Sequence, residues 1–169
     1  MAKRKIHHNK KTTLIIVGEG LHEKAFLTHM KSLYSGRDSG QTVKIDTANG
    51  GSPHDIIKGT IRKISHLAYD RKFILMDSDV EINDQDLAQA KKQGIHVLLS
   101  EPICLEGMLL DILGESIPTT AKQCKSLLHP KLAGKPTEAT SYAVKFTKAV
   151  LDDSNKVTII ELKAVLANK

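Results

Sequence analysis

Leu14-Ile15-Ile16-Val17-Gly18-Glu19-Gly20-Leu21-His22-Glu23 begins with a short aliphatic run and delivers two carboxylates immediately after it. The run is mostly β-branched and reads as a buried strand. Phe73-Ile74-Leu75-Met76-Asp77-Ser78-Asp79 repeats the design: an apolar strand followed at once by acid. In open α/β sheets the carboxyl ends of the strands are where ligands bind. Carboxylates gathered there repel one another unless a cation lies among them. The pair of stretches therefore points to a divalent-metal site, and from there to phosphate chemistry.

Outward from these stretches, strands and helices alternate. Thr12 to Val17 is the first strand, and Gly18 and Gly20 predict a tight turn that lets backbone approach a ligand. A helix over 22–34 carries Ala25, Phe26, Met30 and Leu33 at helical spacing. Residues 42–47 read as a strand near a sheet edge. Asn49-Gly50-Gly51-Ser52-Pro53 is a break, with Ser52 as cap and Pro53 as first residue of a helix to about residue 68. Residues 72–76 form the next strand, 83–93 a polar helix closed by Gly94, 95–99 a fourth strand and 105–113 a helix. Further helices are predicted at 119–129, 139–151 and 158–167. The pattern predicts an α/β, Rossmann-like fold with a mostly parallel four-stranded sheet flanked by helices. The core spans 12–114. A helical C-terminal extension, 115–169, packs on it, and 1–11 form a basic flexible arm.

The 169 residues suffice for one domain with a sizeable core. No apolar run is long enough to span a membrane. Cys104 and Cys124 lack metal-ligand spacing, and the expectation is a cytoplasmic protein with free thiols. The net charge of +6 is uneven. Lys3, Arg4, Lys5, Lys10 and Lys11 sit in the arm; without them the 25 basic residues fall to 20, against 19 acidic ones. Such an arm suits phosphate backbones, or is a solubilising end. Lys122, Lys125, Lys131, Lys135, Lys145 and Lys148 face a single acid, Glu138, and form either a phosphate-facing surface or a solvated face. With no Trp and few Phe and Tyr, a module built for stacking on bases is disfavoured.

Glu19 and Glu23 lie at a helix entry, where the helix dipole favours anions. If both are helical they share a face. Asp77 and Asp79 alternate in extended chain, so both can reach one cation. Glu106 stands in Ile103-Cys104-Leu105-Glu106-Gly107-Met108-Leu109-Leu110, where an ionised carboxylate costs several kcal/mol, on the order of a buried charge, unless paired or metal-bound. The eight histidines show no metal-ligand spacing and are not expected to form a metal set; His22 is read as a surface residue that could touch substrate. Neither a Walker-A sequence nor a serine nucleophile elbow is present.

Taken in order, Val17-Gly18-Glu19-Gly20-Leu21-His22-Glu23-Lys24 and Asp77-Ser78-Asp79 resemble the motifs of a TOPRIM domain. This is the metal-binding fold of type IA and II topoisomerases, bacterial primases, small ribonucleases and OLD-family nucleases. Ser100-Glu101-Pro102-Ile103-Cys104-Leu105-Glu106 is similar to a Ser-x-Pro-Cys-x-Glu segment of the RloB-like subgroup, with Ile103 inserted and the usual Trp missing. Asn49-Gly50-Gly51-Ser52-Pro53 also resembles that subgroup's loop, and a long C-terminal extension is absent. The resemblance covers about residues 12–114 and implies a TOPRIM-like catalytic core.

The resemblance implies a Mg²⁺- or Mn²⁺-dependent nuclease acting on DNA or RNA, in phage defence or nucleic-acid processing. Glu19, Asp77 and Asp79 are the catalytic candidates. Glu19, Glu23, Asp77, Asp79 and Glu106 are the metal ligands, and Lys122, Lys125, Lys145 and Lys148 the nucleic-acid contacts. Lys145, near Tyr142, is the candidate for the additional lysine of OLD-like enzymes. Implied partners are nucleic acid and an ATPase, with no membrane; a homodimer is open. Two alternatives stand. Asp77-Ser78-Asp79-Val80 also fits the first motif of a haloacid-dehalogenase-type phosphatase, which leaves Glu19 and Glu106 idle. TOPRIM domains also tolerate loss of activity, which allows a non-catalytic nucleic-acid- or ATPase-binding module.

Overall fold

Alternate residues of a strand face opposite sides of its sheet, and the two apolar strands are sorted accordingly. Leu14, Ile16, Phe73 and Leu75 enter one hydrophobic layer; Ile15, Val17, Ile74 and Met76 enter the other. The computed structural model describes residues 10–169. The first nine residues of the expected basic arm therefore lie outside the described residues; Lys10 and Lys11 are exposed.

Four strands, β1 (Thr12–Gly18), β2 (Gln41–Thr47), β3 (Arg71–Asp77) and β4 (Ile95–Ser100), form one parallel sheet in the order β2-β1-β3-β4. Gly18 pairs with Thr47 and Leu75, and Asp77 with Ser100, so the carboxyl ends of all four strands lie at one edge. The crossovers are α1 (Leu21–Tyr34), α2 (Pro53–Ile64) and α3 (Asp84–Lys92). α1 contributes Phe26, Leu27 and Met30 to the first layer; α2 and α3 contribute Ile56, Ile57, Ile64 and Ala90 to the second.

Crossovers between parallel strands are right-handed. From β1 the chain steps outward to β2, whereas from β3 it steps the opposite way to β4. Right-handedness then sends α1 and α3 to opposite faces. A crevice opens where they diverge, at the ends of β1 and β3, as in other Rossmann-like sheets whose strand order reverses.

Beyond β4 come α4 (Leu105–Ile112), α5 (Ala121–Leu128), α6 (Lys148–Asp153) and α7 (Val157–Leu166). They pack over the α1 face: Cys124, Leu128, Tyr142, Phe146, Leu151, Ile159 and Leu162 share its layer. Tyr142 and Phe146 set their rings edge-on against Phe26, 5.7 and 6.2 Å between centroids. Gln41 donates to the Val165 carbonyl at 3.0 Å, and Thr158 to that of Leu99 on β4.

The expected helix over 139–151 is not continuous. Residues 139–142 form a 3₁₀ turn, and α6 starts only at Lys148. Thr147 interrupts the run in extended conformation and accepts from the Val150 N–H, the competing bond that makes threonine a better cap than helix interior. α2 likewise ends at Ile64 rather than near residue 68. No helix among the described residues is long and apolar enough to cross a membrane.

Candidate functional site

Glu19 is the first residue past β1. Its N–H donates to the Leu75 carbonyl at 2.9 Å, which prolongs the β1–β3 pairing by one step. Its Oε2 accepts the Asp77 N–H, also at 2.9 Å. Glu19 and Asp77 are thus fastened to one another across the crevice. α1 begins two residues later, so Glu19 is not helical and the shared-helix-face expectation for Glu19 and Glu23 does not apply. Glu23, nearly buried in the first turn, reaches back to accept the Gly20 N–H at 2.8 Å. Gly18 is required by this packing: a Cβ there would lie 2.7 Å from the Cβ of Glu23.

Asp77 ends β3 and accepts the Leu105 N–H at 3.0 Å, the first helical residue of α4. The chain reaches that helix through Ile103, whose φ of 69° is an unusual conformation for a β-branched residue, costing on the order of 1–3 kcal/mol. The Ile103 carbonyl accepts the Ser78 N–H, so the bulge is tied to the end of β3. Held this way, the loop leaves Glu106 aimed inward, 1 % exposed. Gly107 is needed for the same approach, since a Cβ would overlap the Pro102 carbonyl.

Glu106 Oε1 receives two imidazoles, His22 Nδ1 at 2.9 Å and His129 Nε2 at 3.0 Å. The rings stand at 90° with centroids 4.8 Å apart. Its Oε2 is buried without a hydrogen-bond partner. By spacing the histidines are not expected to form a metal set; in the fold His22, Glu106 and His129 place ligand atoms within 4.8 Å of one another, a group that could hold a metal ion. Spacing hid it because α1 and the turn after α5 meet only through packing. The one sequence signal was His22 itself, between two glutamates.

A cleft of about 460 Å³ opens here, lined among others by Glu19, His22, Glu23, Asn49, Asp77 and Lys125. Burial, followed by the charges of Glu23 and Glu19, pushes the Asp77 carboxyl up to about 8. Burial also raises Glu19, with repulsion from Asp79 and Glu106 adding to it. Glu23 rises through burial and the charge of Glu106. Burial would raise Glu106 too, but the His22 and His129 hydrogen bonds prevail and hold it at about 2. Burial would lower the Lys125 ammonium, yet Glu106, Asp77 and Glu23 outweigh it and hold it above its ordinary range. Added cationic charge relieves exactly this kind of crowding of acids.

The other candidates lie elsewhere. β3 stops at Asp77, so Asp79 leaves the extended segment; it is exposed and lines a neighbouring depression with Ser78, Val80 and Glu101. Its charge is still felt at Glu19. Of the four lysines, Lys125 alone lines the cleft. Lys122 and Lys145 are exposed, and Lys148 pairs with Asp152 at 2.6 Å and lies over the Tyr34 ring. Cys104 and Cys124 are free and buried. A more enclosed cavity of about 300 Å³, lined by residues of α2 and α3 including His54 and Asp86, gathers no comparable set of acids.

No protein-family model, curated protein or solved structure matches the chain.

Proposed function

We propose that this chain is a TOPRIM-type, Mg²⁺- or Mn²⁺-dependent phosphodiesterase that cleaves DNA or RNA. The observation that carries the reading is the bond between Glu19 and the Asp77 N–H at the crevice of β1 and β3, with Glu23, Glu106 and Lys125 around it. The donors fit a hard cation: they are carboxylate oxygens, crowded enough that burial and mutual repulsion raise three of them. Glu19 and Asp77 would hold the ion, with Glu23 and Glu106 completing that set or a second position; Asp79, exposed on the neighbouring depression, acts on it through its charge. Bound there, a divalent ion supplies charge neutralisation at the phosphate and a more acidic water.

The chain's own groups have distinct tasks. Lys125 is a fixed positive charge inside the cleft and attracts the substrate phosphate. Glu19, whose carboxyl burial raises above its ordinary range, could instead serve as general acid or base at the scissile ester. The Asp77 N–H fixes one Glu19 oxygen and so orients the other. Lys122, Lys145 and Lys148 are exposed and bind backbone phosphates outside the cleft.

Cleavage of DNA and RNA substrates with Mg²⁺ or Mn²⁺, comparing wild type with Glu19→Gln and with Asp77→Ala/Asp79→Ala, tests this. Each variant is expected to lose about a hundredfold or more. Equal activity in all three would sink the assignment. A phosphatase using Asp77 as nucleophile would instead retain activity in Glu19→Gln on phosphomonoesters. Absence of Mg²⁺ and Mn²⁺ binding with nucleic-acid affinity intact would identify a non-catalytic module, and pull-down with an ATPase tests that partnership.

A further inference from the structure

Hydrogen bonding alone leaves the Glu106 group unbalanced. Two imidazoles converge on Oε1, while Oε2, buried beside them, has no partner. Buried carboxylate oxygens rarely go unpartnered. Nδ1 of His22 and Nε2 of His129 approach that one oxygen from rings set at right angles, so the two imidazoles share it without blocking each other. The three ligand atoms lie within 4.8 Å of one another, close enough for side-chain rotation to bring them onto one ion at about 2.0–2.1 Å.

The donor chemistry differs from that of the neighbouring carboxylates. Two imidazoles and one carboxylate suit first-row transition ions, whereas carboxylates with water suit Mg²⁺. Both rings are about a quarter exposed, 27 % and 25 % at the side chain, so a metal here keeps a position open to solvent. Three protein ligands with an open position is the arrangement of catalytic rather than structural zinc. His22 also lines the cleft that holds Lys125, so that open position borders the space a phosphate would enter.

We propose that His22, Glu106 and His129 form a Zn²⁺-class transition-metal site, beside the all-oxygen set of Glu19, Glu23 and Asp77. Glu106 is the bridge between the two: its Oε1 belongs to the histidines, and its charge is felt at Glu19, Glu23 and Asp77. The site does not require the nuclease reading, because ion binding is measured without nucleic acid.

The test uses the full chain, stripped with chelator and titrated with Co²⁺ followed by Zn²⁺. Wild type should take up one Co²⁺ with visible ligand-field bands, and Zn²⁺ should displace it. His129→Ala should abolish those bands and weaken Zn²⁺ binding about a hundredfold, with Mg²⁺ affinity changed by less than about threefold. Asp77→Asn/Asp79→Asn should do the reverse. Bands that survive in His129→Ala, or no Zn²⁺ binding tighter than that of Mg²⁺, would overturn the site. X-ray absorption at the zinc edge of loaded wild type decides the matter even if His129→Ala does not fold: scattering from two imidazoles supports the site, and an all-oxygen shell refutes it. Zn²⁺ binding without Mg²⁺-dependent cleavage removes the nuclease and keeps this site; the opposite result removes this site and keeps the nuclease.

Discussion

An aspartate in water is ionised well below neutrality, whereas Asp77 is pushed up to about 8 by burial and by Glu23 and Glu19. A carboxyl raised on folding stabilises the fold below its ordinary value and loses that contribution as pH rises through about 8. In chelator, the protein should therefore melt at a higher temperature at pH 6 than at pH 9. Asp77→Asn should flatten this dependence and raise the pH 9 midpoint by about 3–10 °C. With excess Mg²⁺ the order should invert, because the wild type gains a ligand that the variant binds weakly. Scanning calorimetry at both pH values, with chelator and with Mg²⁺, reads all of this; an Asp77→Asn protein less stable than wild type in chelator at pH 9 would contradict the crowding of charge described here. Glu106 has the opposite sign: held at about 2, its contribution is present at neutrality and is lost only in strong acid.

Among the elements, α5 has more influence than its eight residues suggest, because it carries Lys125 and leads into His129. Thr120 caps it, accepting the Gln123 N–H at 3.3 Å and donating to the Gln123 side chain at 3.0 Å. Thr120→Ala should cost about 0.5–2 kcal/mol in urea unfolding, and an unchanged midpoint would mean that the cap does not hold α5. Strands and crossover helices were legible in the sequence because apolar runs such as Ile15-Ile16-Val17 and Phe73-Ile74-Leu75 have strand length and sharp acidic ends. Glu19, Glu23 and Asp77 were legible for the same reason, since strand ends place them. Other features were not legible. Tyr142 and Phe146 have helical spacing, yet Thr147 caps α6 and breaks the run. Asp79 looked paired with Asp77, but β3 ends between them. His129 had no local signal, because its meeting with Glu106 depends on how α5 packs against α1 and α4.

For the molecule as a whole, the first hydrophobic layer joins both ends of the sequence. Phe146 is fully buried, its ring against Phe26 and its carbonyl accepting His29 Nε2 at 2.6 Å. Phe146→Ala should destabilise the protein by about 3–5 kcal/mol. Because the layer is continuous with β1 and β3, the loss should appear as an earlier but still single transition for the sheet and the C-terminal helices together. Circular dichroism and tyrosine fluorescence during urea unfolding check this; two separated transitions would show that residues 115–169 fold as a unit of their own.

The position of Lys125 and His129 in the sequence also affects biosynthesis. Lys125 and His129 are synthesised after Glu19, Glu23, Asp77 and Glu106, so the ammonium and second imidazole are the last charged or ligating groups of the cleft to be made. Until both are in place the crowded acids lack the two partners that balance them. The balanced cleft is therefore finished late in translation, once α5 and the turn after it pack on the sheet.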